Sequence, residues 1–273
     1  MKILDMPCTK GFMQIAQDGV DKGWHEMNGG NLSYRLTDAE TKNVKATCGK
    51  PVSGWAELGE SVPKLAGMFF MVTRTTGYMR NVKRTPEQAF GIVELDATGT
   101  RYRIWWGLSD GGRPTSEFPS HLKNHEVKLE TTGGEHRMIY HAHPVNLIAL
   151  TFVLPPTDKA FTRALWEIMT ECPVIFPEGV GVVPWMVPGK GPIATATSKL
   201  MRDYNIVVWV HHGLFVSGKD FDRCFGLMDI VEKAAEIRIR AQSTGAMKKS
   251  AIQVRQLRQI AKDFGFTLNE KFL

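Results

Sequence analysis

The sequence predicts an α/β fold in which helices flank a central mixed, mainly antiparallel sheet. Short apolar runs that suit strands alternate with amphipathic helical segments along the whole chain, a pattern typical of helices packed on a sheet. Two of the runs, residues 92–95 and 101–106, are separated by a turn that ends in Gly99, and such a hairpin makes part of the sheet antiparallel. No low-complexity linker divides residues 1–273, so we expect a single domain.

The remaining elements are placed by periodicity and by turn residues. Apolar residues that recur at helical spacing predict helices, and short apolar runs bounded by glycine, proline or polar residues predict strands. The predicted elements are, in order, helix 12–20, strands 32–36, 69–72, 92–95 and 101–106, helix 117–129, strand 138–143, helix 157–169, strands 174–176 and 180–187, helix 193–204, strand 206–210, and helices 221–242 and 250–264. The polar residues 37–66 are interpreted as an insertion.

Two side-chain predictions accompany these elements. Because alternate residues of a strand point to opposite faces, Tyr102, Ile104 and Trp106 are expected on one face of the hairpin. The next helix is expected to take Thr115 or Ser116 as its N-cap, since a hydroxyl can accept a hydrogen bond from a first-turn amide.

Composition excludes several classes of protein. Lys and Arg number 34 against 28 Asp and Glu, a net charge of +6, which suits a small anionic substrate. The chain has no basic stripe interleaved with aromatic residues and no apolar run long enough for a membrane span, so neither nucleic acid nor a membrane is expected as a partner. The four cysteines form no Cys-x-x-Cys pair and no signal peptide is visible, which predicts reduced thiols in a cytoplasmic protein. The glycine motifs of dinucleotide-binding and triphosphate-binding loops are also absent.

Two histidine clusters stand at the ends of apolar, strand-like runs. His141 and His143 are spaced i, i+2, and side chains at that spacing project from the same face of a strand. His211 and His212 precede Gly213 at the end of another run. Three imidazoles with an open fourth position are typical of a catalytic metal site. One histidine of the second pair would complete such a site, and the spacing leaves open which one.

Glu117 and the two hydroxyl residues before it form the next candidate. An acid at the start of a helix commonly complements the helix dipole. Beside a Lewis-acidic cation, the same carboxylate can take a proton from the carbon next to a carbonyl group. Thr115 and Ser116 offer hydroxyls and helix N-terminal amides, which suit a phosphate.

Two glycine-containing turns are candidates for binding an anion. Residues 28–31, Asn-Gly-Gly-Asn, offer consecutive backbone amides that can form a nest. Residues 73–77, Thr-Arg-Thr-Thr-Gly, are rich in hydroxyls and carry a basic side chain. Each segment also fits an ordinary turn between two elements.

Taken in order, these motifs resemble a known family. Asn-Gly-Gly-Asn-Leu-Ser from residue 28, Thr-Ser-Glu from residue 115, His-Ala-His from residue 141 and His-His-Gly from residue 211 are similar to motifs of the class II (zinc-dependent) sugar-phosphate aldolases. That family also contains a pentulose-phosphate epimerase and the metal-free head domain of adducin. The resemblance covers nearly the whole chain. The long segment between the histidine clusters resembles the rhamnulose 1-phosphate branch more than the shorter fuculose and ribulose members.

The resemblance implies a three-layer α/β/α fold, one zinc ion (Zn²⁺) per subunit and a division of roles. It implies His141, His143 and His212 as the zinc ligands and Glu117 as the acid and base at the metal. Glu171 occupies the position of a second acid that is presented to a neighbouring subunit, and the family assembles as homotetramers. The residues at positions that bind substrate and phosphate are Asn28, Gly30, Asn31, Thr75, Thr76, Thr115 and Ser116.

One turn departs from the family pattern. The family usually has Thr-x-Ser/Thr-Gly after the second strand, whereas residues 73–77 are one residue longer before the glycine. Either Thr75 or Thr76 is therefore the hydroxyl expected to contact phosphate, and Arg74 can alter that contact.

The implied reaction is the reversible retro-aldol cleavage of L-rhamnulose 1-phosphate, a small ketose 1-phosphate, to dihydroxyacetone phosphate and L-lactaldehyde. A related ketose-phosphate aldolase or a pentulose-phosphate 4-epimerase is the alternative, and the epimerase would use the same metal and the same enediolate. A metal-free, adducin-like interaction module is a third alternative, against which the three histidines and Glu117 argue.

Overall fold

The computed structural model describes residues 1–189, 191–245 and 250–273 of the chain. Within these residues the strands are β1 Asn31–Arg35, β2 Ala56–Glu57, β3 Phe69–Thr73, β4 Phe90–Leu95, β5 Arg101–Gly107, β6 Met138–Ala142, β7 Gly181–Val183, β8 Ile206–Trp209 and β9 Gly213–Gly218. The α-helices are α1 Pro7–Asp21, α2 Asp38–Cys48, α3 Pro86–Ala89, α4 Phe118–Thr131, α5 Val145–Leu150, α6 Asp158–Trp166, α7 Glu171–Ile175, α8 Gly191–Leu200, α9 Phe221–Ser243 and α10 Val254–Phe264.

The described strands form one sheet in the order β2-β5-β4-β3-β1-β6-β9-β8-β7. Neighbouring strands pair antiparallel, except β7 and β8, which are parallel. The predicted mixed, mainly antiparallel sheet is therefore confirmed. β1, β6 and β9 lie together in the middle of the sheet, and all their residues are buried.

Alternate residues of the central strands pack against two separate helical layers. In β6, Met138 and Tyr140 lie in a core cluster with residues of α1, α5 and α9. Ile139, between them, lies in a cluster with residues of α8 and α4 on the other face. Helices on both faces of the sheet give the expected three-layer α/β/α arrangement. No helix within the described ranges combines the length and the apolar character that crossing a membrane requires.

The polar residues 37–66, interpreted above as an insertion, contain helix α2 and strand β2. A capping box starts α2: the Thr37 hydroxyl accepts from the Glu40 backbone amide, and the Glu40 carboxylate accepts from the Thr37 amide. Val44 is the buried residue of α2. The helix therefore has little apolar periodicity, which is why the prediction missed it.

The β4–β5 hairpin carries a bulge that breaks the predicted alternation. Ile104 and Trp106 pair with consecutive residues of β4, so Trp105 is an extra residue in β5. An extra residue changes which face the following side chains occupy. Tyr102 and Ile104 accordingly pack in one core cluster, whereas Trp106 packs against the other. The predicted placement of Trp106 on the face of Tyr102 and Ile104 was wrong.

Helix α4 begins at Phe118, and the prediction of Thr115 or Ser116 as its N-cap was wrong. Glu117 occupies the cap position with φ −90° and ψ 4°. A turn precedes the helix, in which the Phe118 amide donates to Thr115 O at 2.9 Å. Because the Glu117 side chain makes no capping bond, its carboxylate is available for other contacts.

Several other boundaries differ because short elements and prolines interrupt the apolar patterns. Residues predicted as a strand at 174–176 lie mostly in α7, and the strand predicted at 180–187 ends at Val183, before Pro184. Strand β9 and helices α3 and α5 were not predicted, and α6 and α10 are shorter than predicted. The strand predicted to reach His143 ends one residue earlier.

Candidate metal centre and active site

The two histidine clusters meet at the ends of three adjacent strands. His141 is in β6, His143 lies just beyond it, and His212 lies in the tight turn between β8 and β9. Because β9 pairs with both β6 and β8, this turn falls beside the end of β6. His141 Nε2 lies 3.2 Å from His212 Nε2 and 3.3 Å from His143 Nε2. The three ligand atoms all lie within 4.8 Å of one another.

His211, the alternative to His212, points away from this cluster. Its backbone has φ +59°, and its Nδ1 lies 2.9 Å from the Thr151 hydroxyl. The His211 ring packs against Phe152, with 4.3 Å between the ring centroids. The structure therefore brings His212, and not His211, together with the first histidine pair.

Hydrogen bonds behind the cluster fix which ring nitrogens face it. His141 Nδ1 donates to Leu214 O at 3.0 Å, because a carbonyl oxygen can only accept. His143 Nδ1 likewise donates to a Glu26 carboxylate oxygen at 2.5 Å. Burial, followed by the neighbouring histidines, lowers the pKa of His141 well below its usual value, and burial lowers the pKa of His212 to about 4. Because Nδ1 of His141 and of His143 is engaged in these hydrogen bonds, each ring turns its Nε2 to the centre of the cluster.

This donor set fits a divalent metal ion. Converging imidazole lone pairs repel one another, and a cation between them converts that repulsion into coordination. Three imidazoles that leave a position open to a cavity are typical of a catalytic zinc site. The histidine triad can therefore hold a metal ion.

Glu117 lies beside the histidine cluster at the start of α4. Its carboxylate lies 3.7 Å from His141 Nε2 and accepts a hydrogen bond of 2.7 Å from Asn31 Nδ2. Burial raises the pKa of the Glu117 carboxyl group, and the Asn31 hydrogen bond opposes that rise. Asn31 reaches this place because it pairs with His141 across β1 and β6. The arrangement supplies a carboxyl group that can exchange a proton beside a bound cation.

A cavity of about 210 Å³ opens onto the histidine cluster. The predicted metal-binding, catalytic and substrate-binding residues in its lining are Asn28, Gly30, Asn31, Thr75, Thr76, Thr115, Ser116, Glu117, His141, His143 and His212. Glu171 does not line this cavity, since it is an exposed residue at the start of α7. The structure brings together all the predicted site residues except Glu171.

The loop 28–31 is held against the cluster by contacts that only glycine allows. His25 Nδ1 donates to Gly29 O at 3.0 Å. Gly30 has φ +74°, and a Cβ atom there would lie 2.4 Å from His25 Nδ1 and 2.8 Å from His141 O. A side chain is therefore excluded at Gly30, and the loop amides keep a fixed position at the edge of the cavity.

The turn at residues 73–77 presents its two threonines differently. Thr76 has φ +55°, and its hydroxyl donates to Thr75 O at 2.7 Å. The Thr75 hydroxyl makes no hydrogen bond with the described part of the chain, although Thr75 lines the cavity. Arg74 Nη1 donates to Ser109 O at 3.1 Å, which directs its guanidinium toward a neighbouring loop.

Glu26 and His25 support the site but were not predicted from the sequence. They lie in the segment between α1 and β1, immediately before the Asn-Gly-Gly-Asn motif. Their position next to a candidate anion-binding loop was the feature of the sequence that could have indicated them. The partner of Glu26 could not be inferred, because His143 is 117 residues away along the chain.

We expect Glu26→Gln to weaken metal binding by about 10–100-fold, which is typical for loss of a group that orients a ligand histidine. The amide can still accept from His143 Nδ1, but it no longer places a negative charge behind the ring. Competition with a chelator measures the affinity. Glu135→Gln, at an exposed position, is the matched control, and unchanged metal affinity in the Glu26 variant would contradict this role.

Known proteins resemble this chain over most of its length. A family model described as Class II Aldolase and Adducin N-terminal domain matches residues 11–239. The chain is 43% identical over 265 residues to the rhamnulose-1-phosphate aldolase of Pectobacterium atrosepticum, covering 97% of this chain and 96% of that protein.

Two solved structures have similar folds. A sugar-phosphate aldolase from Thermotoga maritima superposes with a TM-score of 0.76 at 29% identity, covering 88% of this chain and 97% of that one. The L-fuculose-1-phosphate aldolase of Thermus thermophilus has a TM-score of 0.59 at 19% identity, with 88% and 97% covered, and it supports the fold alone. From the extent of the family-model match and the identity over nearly the full length, the chain belongs to the class II aldolase and adducin N-terminal domain family.

Proposed function

We propose that this chain catalyses the reversible retro-aldol cleavage of L-rhamnulose 1-phosphate to dihydroxyacetone phosphate and L-lactaldehyde. The observation that carries the proposal is the convergence of three histidine nitrogens and the Glu117 carboxylate on one cavity. The choice of ketose is supported by the rhamnulose-1-phosphate aldolase that is 43% identical over 97% of this chain.

The proposed resident metal is zinc, held one per subunit by His141, His143 and His212. Neutral imidazoles with an open position are typical of catalytic zinc, although cobalt and iron also accept imidazole. When bound, the ion supplies Lewis acidity that stabilises the negative charge developing as the carbon–carbon bond breaks. The protein contributes the orientation of the ligands through Leu214 O and Glu26.

Glu117 is the proposed acid and base at carbon. In cleavage it gives a proton to the carbon released from the broken bond, and in condensation it removes that proton. Burial favours the protonated form of its carboxyl group by raising its pKa, which suits a group that must hold a proton before it delivers it. The hydrogen bond from Asn31 fixes one carboxylate oxygen, so the other can face the substrate.

The substrate phosphate is proposed to bind at the rim of the cavity. Asn28, Gly30, Thr115 and Ser116 line this cavity, and their amide and hydroxyl groups suit a phosphate. Of the two threonines in the longer turn, Thr75 is the better candidate. Its hydroxyl has no hydrogen bond with the described part of the chain, whereas the Thr76 hydroxyl already donates to Thr75 O.

Glu171 is proposed to serve the site of a neighbouring subunit in a homotetramer, where it handles the proton on the aldehyde oxygen. It is exposed and outside its own chain's cavity. Phe152, Val153 and Trp185 are 71%, 57% and 63% exposed, and exposed apolar side chains of this size commonly lie in subunit contacts.

A complementation experiment tests this arrangement. Mixed assemblies of a His143→Ala chain and a Glu171→Ala chain should recover part of the turnover. One type of mixed site then combines an intact histidine cluster with an intact Glu171 from the other chain. No recovery, or a monomeric mass in solution, would contradict the proposal.

The main test is a cleavage assay on the 1-phosphates of rhamnulose, fuculose and ribulose, with and without a chelator. We expect rhamnulose 1-phosphate to give dihydroxyacetone phosphate and lactaldehyde at the highest kcat/KM, and a chelator to abolish the reaction. An epimerised sugar phosphate in place of two three-carbon products would instead indicate an epimerase. Purified protein that contains no metal and shows no turnover would indicate an interaction module.

A further inference from the structure

A chain of buried side chains, none of them a metal ligand, leads across the α4 face of the sheet to Glu117. Its members, in order of contact, are His125, Ser33, His121, Asn31 and Glu117. His121 and Ser33 are 0% exposed and His125 is 1% exposed. Two histidines buried this deeply require hydrogen-bond partners, and the chain of contacts supplies them.

The donor and the acceptor of each hydrogen bond can be assigned in turn, starting from the Glu117 carboxylate. Asn31 Nδ2 donates to Glu117 Oε2 at 2.7 Å, so Asn31 Oδ1 faces His121. An amide oxygen can only accept, and His121 Nε2 therefore carries the proton in the short contact between them. While Glu117 is ionised, the Asn31 amide cannot be reversed, because its oxygen would then face a carboxylate oxygen.

The second ring nitrogen of His121, Nδ1, continues the chain of hydrogen bonds to Ser33. Burial lowers the pKa of His121 to about 3 and that of His125 well below its usual value, so both rings are neutral. His121 Nδ1 then has no proton and accepts from the Ser33 hydroxyl at 2.7 Å. Ser33 Oγ in turn accepts from His125 Nε2 at 2.8 Å. With Glu117 as a carboxylate, one arrangement of protons satisfies the whole chain.

This chain orients groups and does not conduct protons. The Asn31 amide separates His121 from Glu117, and its donor and acceptor ends do not exchange roles as the two nitrogens of an imidazole do. Its effect on Glu117 is geometric. Without a donor at His121, the Asn31 amide would be free to rotate and release its hold on the carboxylate.

We propose that His121, supported by Ser33 and His125, is a positioning residue that fixes the Asn31 amide in the orientation that holds Glu117. The inference rests on the proposed function, in which Glu117 exchanges a proton with carbon. A loss of alignment at a reacting group can cost about 10²-fold in rate. Both ring nitrogens of His121 bond to Asn31 and Ser33, so the metal site is expected to stay intact when His121 is changed.

The test compares His121→Gln with His121→Asn. The glutamine amide nitrogen occupies nearly the position of Nε2 and restores the donor to Asn31, whereas the asparagine amide reaches only the position of Nδ1. We expect His121→Asn to lower kcat by about 10²-fold with KM and metal content unchanged, and His121→Gln to recover most of that loss. Ser33→Ala should fall between them.

The matched control is the second histidine–serine pair of the sheet, His136 and Ser217, whose Nδ1 and Oγ lie 3.0 Å apart near the other end of β6. His136→Asn and Ser217→Ala should lower Tm, because each removes a hydrogen bond, but should leave kcat unchanged. Wild-type kcat in His121→Asn, or equal losses in the asparagine and glutamine variants, would overturn the inference.

A measurement on the unmodified protein keeps the inference testable if the variants do not fold. Nitrogen-15 NMR of histidine-labelled protein should show His121 as a neutral ring with its proton on Nε2, and a proton on Nδ1 would overturn the proposed order of bonds. Failure of the wild type to cleave any ketose 1-phosphate would count against the proposed function alone, because the His121 tautomer is read without turnover.

Discussion

Glu117→Gln is expected to lower kcat for cleavage by about 10²–10⁴-fold, the usual contribution of a positioned acid or base, while one metal ion per subunit remains bound. The glutamine carbonyl oxygen can still accept from Asn31 Nδ2, so the local structure is preserved. The amide cannot carry the proton that the carbon must receive. Release of dihydroxyacetone phosphate measures the effect on turnover, and metal analysis measures occupancy.

Deuterium exchange separates the step assigned to Glu117 from the rest of the reaction. Wild-type protein should exchange the reacting hydrogen of dihydroxyacetone phosphate with deuterated water even when no aldehyde is present, and Glu117→Gln should not. Glu171→Gln is the contrasting variant, since its proposed partner is the aldehyde oxygen and exchange should continue. Equal release of dihydroxyacetone phosphate by Glu117→Gln and the wild type would contradict the proposed role of Glu117 as the acid and base at carbon.

The elements that sequence analysis predicted well are those with a clear apolar pattern. The strands near β1, β3, β6 and β8 and the long helix α9 show such runs or helical periodicity. α2 does not, because Val44 is its buried residue and the remaining side chains give no apolar stripe. β9 was missed because its apolar run, Leu214 to Val216, is short, is bounded by Gly213 and Ser217, and directly follows the turn after β8.

The candidate site was predictable where the chemistry is local and not predictable where it depends on contacts across the sheet. The spacing of His141 and His143 places both on one side of a strand end, and that spacing alone predicted a clamp. The choice of His212 over His211 depends on a positive φ in the β8–β9 turn, which no periodicity encodes. The contact between Asn31 and His121 joins residues 90 positions apart, and it exists only because β1 and α4 pack together.

His143→Ala is expected to remove the bound metal and with it all measurable cleavage, while the protein remains folded. His143 lies one residue beyond β6, so truncating it disturbs no strand pairing. Only two histidine ligands then remain for the metal. The loss of metal affinity should therefore exceed the loss of about 10–100-fold that is expected for a residue that only orients a ligand. Metal content after dialysis, with circular dichroism as the check on folding, measures the result.

The control for this prediction is His211→Ala, a histidine next to His212 in the sequence whose ring faces Thr151 and Phe152 instead of the cluster. It should keep one metal ion per subunit and most of its turnover. If His143→Ala retains the metal and His211→Ala loses it, His211 is a metal ligand, His143 is not, and the proposed ligand set is incorrect. If both variants retain the metal and cleave substrate, the three converging nitrogens are not the metal centre, and Glu117 has no cation beside which to exchange its proton.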